Sequence, residues 1–412
     1  MAPETADTHN VLSATSGVEF AMMKTQVCLA ARRRSLLGVA LLLSIAGSAT
    51  AGPIETLQPG EWYQVPNSKL RSVVPVPAPA GNPANVIAAW SGGTFDTRRD
   101  RLLVWGGGHA DYGGNEIYAF EIATLAWARI WGPSPLSAIQ LQWLAPCVET
   151  YIDGNPVARH TYGGLAYDSQ QDAMMAYGGS LFCGPGNGGN DTWAFEFGNA
   201  RWQKKAYPSS CATCGGLGAS LAYDPATGKV WLAGVNYNLA EFNPATNQWT
   251  IRWTGTGIGY GMTGAIDTKR HKYVFVGQAG VKMYDLNASG TIARQNLTTT
   301  GATAMVGAKF PGVAYDPVSD RIVAWAGGST LYTLNMDTLV WTQNDPAPTN
   351  TVTPPAQTEM GTYGRFQYVP SKNAFVVVSS IDQDVYVRKL SPGSGAPSDS
   401  IPPSAPAAFR PR

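Results

Sequence analysis

The sequence predicts an all-β fold, a single six-bladed β-propeller whose ring is closed by a strand from near the N-terminus. A short turn recurs as Phe95-Asp96-Thr97, Tyr167-Asp168-Ser169, Tyr223-Asp224-Pro225, Ile266-Asp267-Thr268 and Tyr315-Asp316-Pro317, with Val369-Pro370-Ser371 in the sixth place. Successive turns lie 43 to 72 residues apart, near the period of roughly 40 to 50 expected of propeller blades, with insertions in the first two. With 46 Gly, 29 Pro and 13 Trp in 412 residues, the composition suits many short strands joined by tight turns and leaves little room for long helices. The turns count out six blades rather than seven.

Within each unit the second strand is an apolar run: Leu102 to Trp105, Ala173 to Tyr177, Val230 to Ala233, Tyr273 to Val276, Ile322 to Trp325 and Phe375 to Val378. The third alternates around an aromatic, in turn Tyr118, Trp193, Phe242, Tyr284, Tyr332 and Tyr386. An outer strand carries Trp127, Trp202, Trp249 and Trp341, whereas the fourth unit lacks its Trp and the sixth lacks the strand altogether. Gly60 to Val65 has the same Trp-strand pattern, so it is expected to complete the last blade and protect the edges an open circle would leave unpaired.

The ends read differently. Arg32, Arg33 and Arg34 precede the apolar run Leu36 to Ala46, and Ala49-Thr50-Ala51 supplies small residues for signal cleavage, so residues 1–51 are expected to be a leader and the protein exported, to a periplasm or outside the cell. The run is short for a membrane span, so no stable membrane anchor is expected. Residues 52–390 form the propeller, and 391–412, Pro- and Ser-rich with few bulky apolar residues, form a disordered tail. The 29 basic and 28 acidic residues nearly cancel, which gives no electrostatic case for nucleic acid or a membrane surface. A monomer is expected.

The stretch LLVWGGGHADYGGNEIYAFEIATLAW, Leu102 to Trp127, shows a strand ending in glycines, a polar loop, a Tyr-containing strand, a turn and a Trp. This order resembles the kelch-repeat, galactose-oxidase-like β-propellers. The resemblance implies the fold more strongly than any activity.

In such a blade, the loop between the second and third strands opens on the same face as the loop leading into the next innermost strand, and long loops on a rigid scaffold tend to carry binding residues. Insertions fall there, at Trp131 to Val157, Leu181 to Asn190 and Tyr207 to Gly216. The same face collects His109, Asp111, Tyr112 and Asn115 from blade one, Arg159, His160 and Tyr162 from the approach to blade two, Tyr260, Lys309, Tyr363 and Arg365. Of these, His109, His160, Tyr162 and Arg159 are the candidate catalytic residues, and the others candidate substrate contacts. The plain alternative is that Asp111, Asn115 and Arg159 only hold loops and blades together. Cys147, Cys183, Cys211 and Cys214 all lie in the inserted loops, and an even count in an exported protein reads as two disulfides, with Cys147–Cys183 and Cys211–Cys214 preferred among three connectivities. A four-thiolate zinc site is the alternative.

A rim of Tyr, His, Arg and Lys suits a glycan, above all an acidic polysaccharide, because rings stack on sugar faces while cations pair with carboxylate. The concrete expectation is a polysaccharide lyase acting by β-elimination at a uronate: one His or Tyr takes the proton beside the carboxylate, a cation stabilises the enolate, and a second His or Tyr protonates the leaving oxygen. This resembles the propeller-type polysaccharide lyases, including ulvan lyases, through blade architecture and the GGGHADYGGNE loop. No cofactor is expected. The alternatives are a non-catalytic glycan- or protein-binding propeller, and a copper-dependent carbohydrate oxidase in which the two His and a Tyr bind copper or another divalent metal.

Overall fold

The structure is a computed structural model and describes residues 52–395, apart from 145, 184–186 and 209–215. The leader, Cys211 and Cys214, and the tail from residue 396 onward lie outside these residues. Six antiparallel sheets, each built on four strands, stand in a ring. Their innermost strands, Gly93–Asp96, Leu165–Asp168, Ser220–Asp224, Met262–Asp267, Gly312–Asp316 and Phe366–Val369, touch one another in a closed circle. Apolar residues on adjacent blade faces interdigitate, as where Leu103 and Trp105 of blade one meet Met174, Trp193 and Trp202 of blade two.

The recurring Asp has a physical reason. At each turn its carboxylate caps the backbone: Asp96 Oδ1 accepts from Arg98 N and Arg99 N, Asp168 from Gln170 N and Gln171 N, Asp267 from Lys269 N and Arg270 N, and Asp316 from Val318 N and Ser319 N. A short acceptor side chain is what such a turn needs. Four residues later the chain takes a left-handed conformation in all six blades, at Asp100, Asp172, Gly228, His271, Asp320 and Asn373, with φ between 45° and 67°. In blade six Val369 pairs with Ala374 as Asp316 pairs with Arg321. The residue equivalent to the Asp is therefore Val369, one position before the Pro370 that the sequence pattern aligns.

The turn face also carries polar side-chain pairs, most of them between blades. Arg99 donates to Asp172 at 2.6 Å, Arg270 to Asp320 at 2.7 Å and to Asp267 at 2.9 Å, and His271 Nε2 lies 2.7 Å from Asp224 Oδ2. The hydrogen bonds from Arg270, aided by Lys269 and Tyr315 and opposed by burial, hold the Asp320 carboxyl well below the usual range. A depressed folded-state pKa stabilises the fold above the unfolded value of about 4 and loses that effect as pH falls toward the folded value. Arg270→Ala is therefore expected to lower stability at neutral pH and to flatten its loss between about pH 5 and pH 2. Denaturant titrations across that range check this, and parallel curves for the two proteins would refute it.

The ring closes as the sequence predicts. Trp62–Gln64 pairs antiparallel with Tyr386–Arg388, Trp62 opposite Arg388 and Gln64 opposite Tyr386. Trp62 is buried, its backbone N donates to Asn350 Oδ1 and its indole donates to Ser329 O in blade five. The outer strand of blade four, which lacks a Trp, is only Gln295–Leu297.

Candidate functional site

Opposite the turn face, the GGGHADYGGNE loop is pressed onto the approach to blade two. Gly108 has φ +82°, and a Cβ there would sit 2.3 Å from Arg159 Cα and from His160 N. Only glycine allows that approach. The loop is pinned by Gly108 N donating to Tyr112 O at 2.7 Å and by His109 N donating to Ser180 O at 3.3 Å.

This contact assembles the centre of the face. His160 Nε2 lies 2.6 Å from Asp111 Oδ2. The rings of His109 and His160 stack with centroids 5.9 Å apart, and Ser180 Oγ is 3.5 Å from His109 Nδ1. A carboxylate only accepts, so Nε2–H of His160 is the donor of this hydrogen bond. His160 is nonetheless enclosed, with Trp90 at 5.1 Å and Tyr162 at 6.1 Å between ring centroids. His109 and Asp111 are the half-exposed members of the group.

Beside this centre an aromatic cap closes the ring axis. The residue six positions before the end of each innermost strand has positive φ: Trp90 (44°), Tyr162 (50°), Gly218 (72°), Gly261 (82°), Phe310 (49°) and Tyr363 (50°). Bulky residues rarely adopt this conformation, which costs on the order of 1–3 kcal/mol each and collects at functional sites. The four aromatic side chains come from blades one, two, five and six yet form one cluster, so they meet over the axis. Tyr363 is fully buried and its hydroxyl has no hydrogen-bond partner; nor does Trp90 Nε1. Blades three and four carry glycine at this position, and there Tyr260 lies edge-on against Phe310 at 4.7 Å and is 45% exposed. Burial, with Tyr260 nearby, pushes the Tyr162 phenol above its usual range. Beneath the cap a channel of about 390 Å³ opens among turn-face residues such as Thr97, Ser169 and Thr268.

Most of the other residues expected at this face lie beneath it. Arg159 is 1% exposed: it donates to Asp191 Oδ1 at 2.5 Å and Oδ2 at 3.1 Å, and to the carbonyls of Val157, Gly178 and Glu149. Successive strand residues point to opposite sides, and Arg159 and His160 are consecutive on one short strand, so the strand that brings His160 to the centre turns Arg159 away. Arg365 is equally buried and donates to Ser91 O, Val378 O and Gly361 O; burial without an acidic partner lowers its pKa to about 10. Tyr112 donates to Glu116 Oε1 at 2.6 Å, and Asn115 bonds Ser134 and Pro156 O, all within the loop's foundation. Lys309 is exposed. Glu116, buried under the loop and with its pKa raised by that burial despite the Tyr112 hydrogen bond, was not singled out by the sequence pattern.

Cys147 and Cys183 form a disulfide with Cα atoms 5.5 Å apart, which fits an oxidising compartment. No described helix is long and apolar enough to cross a membrane. Among the described residues no group of three or more His, Cys, Asp or Glu is arranged to hold a metal ion.

No family model matches this chain, and no curated protein matches its sequence. Among solved structures, a protein of unknown function from Bacteroides thetaiotaomicron is similar at 10% identity and TM-score 0.48, over 79% of this chain and 74% of its own. An auxiliary nutrient binding protein from the same organism is similar at 10% identity and TM-score 0.43, over 75% and 69%. TolB from Acinetobacter baumannii follows at 11% identity and TM-score 0.39, over 62% and 54%.

Proposed function

We propose that this kelch-like propeller is an exported glycan-binding protein whose ligand sits on the face formed by His109, Asp111, Tyr260 and the aromatic cap. The observation that carries the reading is the juxtaposition of half-exposed His109 and Asp111 with aromatic rings at the ring axis. A sugar presents apolar C–H faces to rings and hydroxyls to imidazole and carboxylate, and a few fixed polar groups in an aromatic setting give orientation and specificity. The enclosure of Arg159 and Arg365 removes the two guanidiniums that would pair with an anionic polymer, which favours neutral sugars over polyuronates.

A second reading, the uronate lyase, rests on the His160–Asp111 hydrogen bond, because a carboxylate that orients an imidazole is a common element of proton transfer. In it His109 is the accessible acid or base, and Lys309, exposed on this side, is the remaining cation for the carboxylate.

The test is a panel of neutral and acidic oligosaccharides, measured for binding and for the ultraviolet absorbance of unsaturated uronates. The expected result is binding without turnover, weakened about tenfold, or 1.4 kcal/mol, by Tyr260→Ala. Absorbance growing with time and lost in His109→Ala would replace the binding reading with the lyase, and no binding to any member would overturn both.

A further inference from the structure

The insertion leading into blade two builds a wall beside the His109–Asp111 loop. Its helix, Leu136–Leu144, turns Ala138 and Ile139 inward onto the loop, where a Cβ at Gly113 would meet Ile139 at 2.6 Å. Its other side leaves Leu136, Leu141 and Trp143 exposed. Of the eleven large apolar side chains exposed among the described residues, eight (Leu136, Leu141, Trp143, Val148, Ile152, Tyr207, Leu217 and Tyr260) belong to segments leading into blades two, three and four. Apolar exposure concentrated on one face marks an interaction site.

Within this region lies a cavity of about 440 Å³, lined by Ala80, Gly81, Ala110, Gln140, Trp143 and Phe182. The indole of Trp143 is 41% exposed and lies 5.2 Å from the Phe182 ring. A disulfide braces one wall: Phe182 directly precedes Cys183, whose bond to Cys147 ties the segment after the helix to blade two. Ala110, between His109 and Asp111, is shared by the cavity and the central group, and a Cβ on Gly81 would sit 2.2 Å from Asp111 O.

We propose that this cavity is a second sugar subsite, continuous with the first across Ala110, so that the ligand is an oligosaccharide or polysaccharide rather than a free monosaccharide. The proposal rests on the glycan-binding reading. A partly exposed indole beside a small-residue floor accepts a flat C–H face, and Gln140 and the neighbouring Asp111 supply hydrogen bonds at its rim. The volume exceeds that lost to one side chain and falls within the range of ligand pockets, roughly 300–1,000 Å³.

The experiment uses gluco-, xylo-, chito- and galacturono-oligosaccharides, each from one to six units, titrated into the full chain and into Trp143→Ala and Trp143→Phe, with circular dichroism confirming the fold. For the sugar type that binds, affinity is expected to rise by about tenfold or more between one unit and the longer chains. Trp143→Ala should bring the longer chains down toward the single sugar, and Trp143→Phe should restore part of the gain. Binding that shows no dependence on length, or a length dependence untouched by Trp143→Ala, would overturn the second subsite while leaving the glycan reading standing. Absence of binding at every length and sugar type would overturn both.

Discussion

Replacing Arg159 with methionine is expected to lower the stability of the folded chain by about 3–5 kcal/mol, the usual cost of stripping one partner from a buried ion pair. Asp191 would be left fully buried, with the Trp193 indole as its one remaining side-chain donor among the described residues. Three backbone carbonyls, of Val157, Gly178 and Glu149, would lose a donor as well. The double variant Arg159→Met, Asp191→Leu should recover much of the loss, because replacing both members with apolar groups is often near neutral. Equilibrium denaturation of the three proteins decides the matter. If Arg159→Met were as stable as the parent and only ligand binding suffered, Arg159 would be a ligand contact and its environment misread.

The second large effect concerns ring closure. Trp62→Ala removes a buried indole that packs against Trp325 with ring centroids 6.4 Å apart, and large aromatic-to-alanine changes in a core cost about 3–5 kcal/mol. Deleting Glu61 to Val65 goes further, since it also exposes the Tyr386–Arg388 edge and removes the flanking bonds from Lys389 N to Glu61 O and from Val65 N to Val385 O. The deletion is expected to abolish cooperative unfolding at physiological temperature, read by a loss of the sharp thermal transition. An unchanged transition would mean that the blades hold without the closing strand.

How much of this was legible beforehand varied with the kind of pattern. The turns were, because an Asp that caps two backbone N–H groups is required wherever the same turn recurs, and so was the closing strand, because Trp62 carries the outer-strand pattern missing from blade six. The site was legible only in part. His109, Asp111 and His160 were brought to one place by a loop that needed Gly108, and that glycine could be seen. Arg159 was grouped with them by proximity along the chain, although strand alternation sends it to the opposite side of His160. The aromatic cap had a readable signal that needed the blades to be aligned first: Trp90, Tyr162, Phe310 and Tyr363 stand at one register, with Gly218 and Gly261 in the remaining two places. The cavity beside Trp143 had no sequence signature, since its lining comes from four separate stretches that only the folded insertion brings together.

The ligand is expected to meet the face carrying His109 and not the turn face, where the 390 Å³ channel opens. Amide hydrogen exchange, with and without the tightest-binding oligosaccharide of the panel, tests this most directly, because bound ligand slows opening of the backbone it covers. The expected result is slowed exchange in residues 106–116, 159–163 and 258–262, with little change in the turns at Asp96, Asp168 and Asp267. Protection confined to those turns, with the His109 loop exchanging as before, would contradict it.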